Sequence, residues 1–139
     1  MRGYRVFDVI ENRYSDKDFF IDKDGKLYVR AMYFNHEPAT RATVTTEEVD
    51  PSRYIVEEST GLKDKNDKMI FEGDVVSFWP TLEHERGKIK CEITYSMHGF
   101  WAKEIDIDHK WYDRKWIMYG DVEIIGNVHN NPELLEETT

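Results

Sequence analysis

The side chains best suited to chemistry in this sequence are one cysteine, five histidines and 28 carboxylates. A nucleophilic thiol needs exposure and a lowered pKa. Cys91 instead occupies an apolar position of an alternating segment, where a buried structural thiol is expected. None of the histidines has zinc-finger spacing to the cysteine; they are His36, His84, His98, His109 and His129. The sequence therefore predicts neither a cysteine nucleophile nor a zinc site.

Two acidic segments begin like a calcium-binding loop but do not continue as one. A loop that starts at Asp22 needs glycine at position six and glutamate at position twelve, where the chain has Leu27 and Tyr33. A loop that starts at Asp64 fails in the same way. The Asp-Gly pair at Gly25, between two apolar runs, instead predicts a β-hairpin turn.

Asp106 and Asp108, which share a strand face next to His109, are the best remaining metal candidates. Carboxylates that alternate with isoleucine are typical of a half-buried strand, so we favour a solvated strand end. The sequence also lacks a Gly-x-Ser-x-Gly motif, a phosphate-binding glycine-rich loop and a dinucleotide fingerprint. We therefore expect no enzymatic activity, no metal, no cofactor and no small-molecule substrate.

Charge argues against nucleic acid and membranes as partners. The formal net charge is −9, with an acidic surplus of 3 over residues 1–60 and of 6 over residues 61–139. Neither half has the basic surplus that neutralises phosphates, and an acidic surface is repelled by anionic lipids. A basic protein partner is compatible with this charge.

The location expected from the sequence is the cytoplasm. No segment approaches the roughly 20 apolar residues that span a bilayer, and the segment Met1–Arg5 lacks the apolar core of a secretory signal. A single cysteine excludes an internal disulfide, which is in keeping with a reducing compartment.

The clearest predicted strand is Lys88–Tyr95, in which Ile89, Cys91, Ile93 and Tyr95 share one face and charged or polar residues share the other. The other predicted strands are Tyr4–Asp8, Phe19–Ile21, Leu27–Phe34, Tyr54–Val56, Ile70–Phe71, Val75–Trp79, Phe100–Ile107, Trp116–Tyr119 and Val122–Val128. The predicted fold is mostly β, with an N-terminal β-hairpin subdomain over 1–60 and a C-terminal SH3-like small barrel over 61–139.

Three shorter signals complete the predicted fold. Thr45 and Glu48 have the spacing of a helix capping box, which predicts a helix start. The segment Thr60–Asn66 reads as a turn-rich connector. Asn131, followed by Pro132, predicts one short C-terminal helical turn with asparagine as its N-cap.

Tryptophan residues in the variable second half are the candidate contact residues. Trp79 and Trp101 adjoin predicted turns, and Trp111 lies in a polar segment where no strand pattern would bury it. Because tryptophan is favoured at the centre of interfaces, we expect these three residues to contribute to a protein-binding patch. Core burial is the alternative for each, and it is the expected state of Trp116.

Two separate segments resemble the motifs of the YopX family, a group of small proteins from phages and prophages of Gram-positive bacteria. The first is Ser59–Val76, which contains Glu72-Gly73-Asp74, and the second is the closing run Glu123–Leu135. The resemblance implies a phage or prophage origin, the family's fold and a cytoplasmic location in the host, but no activity. Gly61, Gly73 and Gly126 are expected to lie in turns.

The function expected from these observations is that of a phage-derived accessory protein without enzymatic activity, which binds another protein or assembles with itself. A homo-oligomer is expected, because strand edges need cover. The alternative is a nucleic-acid-associated module built on the SH3-like barrel, since aromatic surfaces stack single-stranded bases when they are also basic.

Overall fold

The computed structural model describes residues 3–34, 42–79, 87–96, 99–106, 110–113 and 121–136, without the side chains of 31–34 and 42–45. Within these ranges the chain is mostly β, as predicted. The strands are β1 (Tyr4–Asp8), β2 (Arg13–Tyr14), β3 (Asp18–Ile21), β4 (Leu27–Phe34), β5 (Ala42–Glu48), β6 (Tyr54–Lys63), β7 (Met69–Phe71), β8 (Asp74–Phe78), β9 (Ile89–Ser96), β10 (Gly99–Glu104), β11 (Trp111–Tyr112) and β12 (Glu123–Asn127). One 3-10 helix, Pro132–Leu135, follows them.

The described strands form three sheets, with the orders β3-β4-β5, β2-β1-β6-β7 and β11-β10-β9-β8-β12. The chain divides into two compact units. One unit is Val6–Ile55, and the other combines Met1–Arg5 with Val56–Thr139. The predicted subdomains 1–60 and 61–139 stay a prediction.

The unit Val6–Ile55 contains the hairpin predicted around Asp22. Strands β3 and β4 pair antiparallel, with Ile21 opposite Leu27. The Asp22 carboxylate accepts hydrogen bonds from the N–H groups of Asp24 and Lys26, both at 2.9 Å. Gly25 has a φ of +83°, which glycine adopts without steric cost. The hairpin prediction is therefore confirmed.

The helix start predicted at Thr45 is wrong. Thr45 to Glu48 lie in β5, which pairs antiparallel with β4, with Thr46 opposite Arg30 and Glu48 opposite Tyr28. Threonine and valine precede the supposed cap, and β-branched residues favour the extended chain. The ladder to β4 satisfies the backbone groups that a cap would otherwise serve.

The five-stranded sheet provides the core of the unit that contains Val56–Thr139. The predicted alternation of β9 is confirmed, since Ile89, Cys91 and Ile93 are buried while Lys90 lies on the half-exposed face. Tyr95 departs from it, because 49% of its surface is exposed at the end of the strand. The buried cluster consists of Ile70, Val76, Phe78, Ile89, Cys91, Ile93, Phe100, Ala102, Tyr112 and Val122. Full burial of each large member stabilises the fold by about 1.5–3 kcal/mol.

Strand β6 is longer than predicted. It continues to Lys63, so the predicted connector Thr60–Asn66 is wrong over its first half. Ser59 pairs with Phe71, and the buried Thr60 hydroxyl donates to the Ile70 carbonyl at 2.8 Å. These bonds satisfy polar groups that sequence alone assigns to a loop. Gly61, with a φ of +78°, lies at an irregularity within the strand.

The predicted helical turn after β12 is confirmed as a 3-10 helix, but Asn131 does not cap it with its side chain. The Asn131 amide oxygen instead accepts the N–H of Asn127 at 3.2 Å. Gly126 lies inside β12 and not in a turn. A Cβ there would come within 2.6 Å of the Leu134 methyl group, so glycine lets the helix pack on the strand.

Some predicted features lie outside the described residues. These are the strand Trp116–Tyr119 with Trp116 itself, and the metal candidate Asp108 with its neighbour His109. Over the part of the chain that is described, no helix is long and apolar enough to cross a membrane.

Candidate functional site

Two of the three tryptophans singled out by sequence lie on one face of the five-stranded sheet. Along β10, Phe100, Ala102 and Glu104 point to the core, so Trp101 and Lys103 point to the opposite face. The register places Trp101 opposite Thr94, and Lys103 opposite both Glu92 of β9 and Trp111 of β11. We call the set Thr94, Trp101, Lys103 and Trp111 the tryptophan face.

Trp101 and Trp111 are diagonal neighbours on adjacent strands, a relation in which large side chains reach one another. The ammonium group of Lys103 lies 5.5 Å from the centroid of the Trp111 ring, within cation–π range. The Trp101 indole N–H donates to the Ser96 carbonyl at 3.0 Å, which fixes that ring. Trp111 is 41% exposed. The face thus presents one anchored and one open indole around a cation.

Trp79 does not join this face. It follows Phe78, which pairs with Ile89 at the start of β9, whereas Trp101 pairs with Thr94. Five residues of extended chain separate Ile89 from Thr94, a rise of about 17 Å. Trp79 is half-exposed beside Gly87. The structure therefore brings two of the predicted contact residues together and leaves the third apart.

Thr94 gives the tryptophan face an unusual polar centre. Its hydroxyl oxygen is buried, and it has no hydrogen-bond partner among the described residues. A buried polar group without a partner costs free energy, and the cross-strand neighbour Trp101 lies opposite it.

A second group of polar side chains that lie together was not predicted from the sequence. The Arg5 guanidinium contacts two buried carboxylates, with Nε 3.0 Å from Glu57 Oε1 and Nη2 2.8 Å from Asp74 Oδ1. His129 Nε2 lies 3.2 Å from the other oxygen of Glu57. We call Arg5, Glu57, Asp74 and His129 the arginine cluster. Its members come from β1, β6, β8 and the turn after β12.

Local structure holds the carboxylates of this cluster in place. Asp74 Oδ2 accepts the N–H of Phe71 at 2.8 Å, which closes the turn between β7 and β8. Gly73 in that turn has a φ of +88°, and a Cβ there would overlap the Glu57 carboxylate. Its N–H donates to the Ile93 carbonyl at 2.8 Å. Glycine is therefore required at this position for both its conformation and its size.

The acidic groups around the cluster show the effect of burial on ionisation. Burial raises the pKa of Asp74, although hydrogen bonds from the Phe71 N–H and from Arg5 oppose the increase. Burial also raises the pKa of Glu72, with Glu57 and Glu58 adding to the effect, and that of Glu92 on β9. The charge of Glu57 adds to the rise in the pKa of all three groups, so negative charge is concentrated here and a cation at the position of the Arg5 guanidinium is stabilised.

The four cluster residues are widely separated in sequence, so no local sequence pattern brings them together. Arg5 is 52 residues from Glu57 and 69 from Asp74. The available signal was the Glu72-Gly73-Asp74 segment, in which a glycine between acids marks a tight turn with a carboxylate held inside it.

Metal binding is not supported by any cluster in the described ranges, where no three histidine, cysteine or acidic side chains are arranged to hold an ion. Asp106 is half-exposed beyond β10. Cys91 is fully buried in the core, as expected of a structural thiol.

Comparisons with known proteins agree with the two-motif resemblance. The sequence model described as "YopX protein" matches residues 3–136. The chain is 26% identical to the SPbeta prophage-derived uncharacterized protein YopX of Bacillus subtilis strain 168, over 96% of each chain.

Solved structures resemble this fold along its whole length. A crystal structure of protein EF1440 from Enterococcus faecalis has a TM-score of 0.63 and 25% identity, and the match covers 98% of this chain and 99% of that one. The crystal structure of B. subtilis yopX also has a TM-score of 0.63, at 22% identity and with complete coverage of both chains.

Proposed function

Because this chain belongs to the YopX protein family, we propose that it is a prophage-derived accessory protein that acts by binding another protein in the cytoplasm of a bacterial host. It performs no catalysis in this proposal. The related B. subtilis protein, whose name records a prophage origin, supports the source. The contact surface is the tryptophan face.

The observation that carries the proposal is the exposed indole of Trp111 next to the anchored indole of Trp101. Aromatic side chains with fixed positions are the usual energetic centres of protein interfaces. Trp111 is 41% exposed, and exposure of a large apolar ring to water is unfavourable. A partner that covers the ring removes this apolar surface from water and so gains binding free energy. The net charge of −9 favours a basic partner over nucleic acid.

The finer architecture that we propose for residues 61–139 is an SH3-like barrel. The sheet order β11-β10-β9-β8-β12 supports it. This order places the last strand, β12, beside the first strand of the sheet, β8, and the remaining strands in succession. In the proposed barrel the two edge strands, β11 and β12, curl towards one another. An experimental structure that left β12 unpaired with β8 would reject this architecture.

The test compares capture of host proteins by the wild type, Trp111→Ala and Trp79→Ala, with and without nuclease. Trp79 is the matched control, because it is also an exposed tryptophan (50% against 41%) but lies outside the tryptophan face. We expect one captured protein to be lost specifically with Trp111→Ala and to survive nuclease. Capture that disappears with nuclease would favour the nucleic-acid alternative. Equal loss in both tryptophan variants would reject the face as the contact surface.

Self-assembly is the second candidate, and the same face would serve it. Light scattering at high micromolar concentration separates the two. A mass that falls to monomer in Trp111→Ala but not in Trp79→Ala identifies a second copy of the chain as the partner.

A further inference from the structure

The Arg5 guanidinium lies between the carboxylates of Glu57 and Asp74 and the ring of Phe71, a site that we call the socket. In addition to its bonds to Glu57 and Asp74, its Nη2 lies 3.3 Å from the Glu72 carbonyl oxygen. The guanidinium carbon lies 4.8 Å from the centroid of the Phe71 ring. Carboxylates, a carbonyl and an aromatic face together satisfy the donors and the plane of an arginine.

The socket is held by bonds that do not involve Arg5. Asp74 is fixed by the Phe71 N–H, and the second oxygen of Glu57 is in contact with His129. The Gly73 N–H bonds to Ile93, and the Gly73 carbonyl accepts the N–H of Val128 at 2.9 Å. The carboxylates are therefore positioned by strands β6, β7, β8 and β9 and by the turn after β12, whatever guanidinium lies between them.

Recognition of the segment around Arg5 extends to the backbone. The Ser59 N–H in β6 donates to the Gly3 carbonyl at 2.8 Å, next to the extended start of β1. A backbone bond to a neighbouring strand, together with a side-chain socket, is how proteins bind extended peptides by strand addition.

The path of the chain makes this segment resemble a ligand. Residues Met1–Arg5 belong to the same compact unit as Val56–Thr139, while the intervening residues Val6–Ile55 form the other unit. Within its own unit the segment is held by non-covalent contacts. It is present at the high effective concentration that a covalent connection provides.

We propose that Gly3–Arg5 is an autoinhibitory occupant of a site for an arginine-bearing extended segment of a basic partner protein. Displacement of the chain's own arginine exposes Glu57 and Asp74 to the arginine of the partner. Charge complementarity selects this occupant. At this acidic socket a second copy of the chain, with the same net charge of −9, is a less favourable occupant than a basic segment. The socket shares no residue with the tryptophan face, so it stands or falls independently of the proposed function.

The test removes the resident arginine from the full-length chain and measures binding of a labelled peptide, Gly-Tyr-Arg-Val-Phe, by fluorescence anisotropy. We expect Arg5→Ala to bind the peptide at least about tenfold more tightly than the wild type, since its own segment then keeps the backbone bond of Gly3 but no longer competes with a guanidinium. A peptide with alanine in place of arginine should not bind. The control variant is Arg13→Ala, whose side chain is 67% exposed and paired with the exposed Glu11; it should bind like the wild type.

Stability provides a second readout if Arg5→Ala folds poorly. The peptide should then raise the melting temperature of Arg5→Ala, and should fail to do so when Asp74→Asn is also present. Equal affinity of the wild type and Arg5→Ala, without a rise in melting temperature, would overturn the proposal. Light scattering that shows a wild-type dimer, lost in Arg5→Ala, would overturn it as well, because the occupant would then be a second copy.

Discussion

The Asp64 carboxylate accepts a hydrogen bond from the Ile124 N–H over 3.0 Å, across 60 residues of sequence. Its other oxygen accepts the N–H groups of Asn66 and Lys68, each at 2.9 Å. One side chain thus organises the turn before β7 and ties it to β12. The two segments that resemble family motifs meet at this residue, so the motifs contain residues that stabilise the fold.

Asp64→Asn should destabilise the protein by about 1.5–3 kcal/mol, because charged acceptors form the stronger hydrogen bonds and an amide cannot accept all three N–H groups. Burial raises the pKa of Asp64, but the three N–H donors outweigh it and the pKa lies below its ordinary value. Urea denaturation measures the change. Asp67→Asn is the control, since Asp67 is 84% exposed and pairs with Lys63 alone among the described residues. A loss of equal size in both variants would contradict the prediction.

Asp8 should make stability depend on pH in the acidic range. The hydrogen bond from Arg53 lowers the pKa of Asp8 to about 2, against an unfolded value of about 3.9. A lowered pKa stabilises the folded state above the unfolded value, and this contribution is lost as pH falls from about 4 to 2. The difference in melting temperature between the wild type and Asp8→Asn should therefore shrink over that interval. A difference that stays constant from pH 5 to pH 2 would contradict the assignment.

Gly73 should tolerate substitution far less well than Gly25. Both residues have positive φ, +88° and +83°, so alanine at either costs about 1–2 kcal/mol in backbone strain. Only at Gly73 would the new methyl group overlap Glu57, which adds about 1–3 kcal/mol. Urea denaturation of the two alanine variants isolates the contribution of this contact. Equal losses would mean that the Glu57 carboxylate moves away without cost.

Local sequence patterns predict most of the described strands, because side-chain alternation and turn residues are local features of the chain. The alternation of β9 predicts which side chains the sheet buries, and the Asp-Gly pair predicts the turn between β3 and β4. The prediction at Thr45 failed because capping-box spacing and a β-branched strand look alike until a partner strand is known. Tertiary pairing with β4 then decides the conformation.

The candidate sites, in contrast, bring together residues from different strands, which local sequence patterns do not relate to one another. Trp101 and Trp111 share a face because Trp101 lies two residues before Lys103 on β10 and Trp111 lies opposite Lys103 on β11. Predicted exposure selects both residues but does not show that they are neighbours. Arg5 and Asp74 meet through the order of strands in space, which a single sequence does not encode as a local pattern. The turn that follows Trp79 predicts an exposed position, but the strand register separates Trp79 from the other two tryptophans.

Trp111 and Trp101 should differ in what they contribute to the folded monomer. Trp111→Ala should change the free energy of unfolding by about 0.5 kcal/mol or less, as is usual for exposed positions. The loss of the cation–π contact with Lys103 comes in addition. Trp101→Ala should cost about 1–3 kcal/mol, because contacts of the half-buried ring are lost together with its N–H bond to Ser96. Urea denaturation followed by circular dichroism measures both changes without relying on indole fluorescence. A loss from Trp111→Ala as large as that from Trp101→Ala would place Trp111 in the core, and the tryptophan face would then lack its open contact residue.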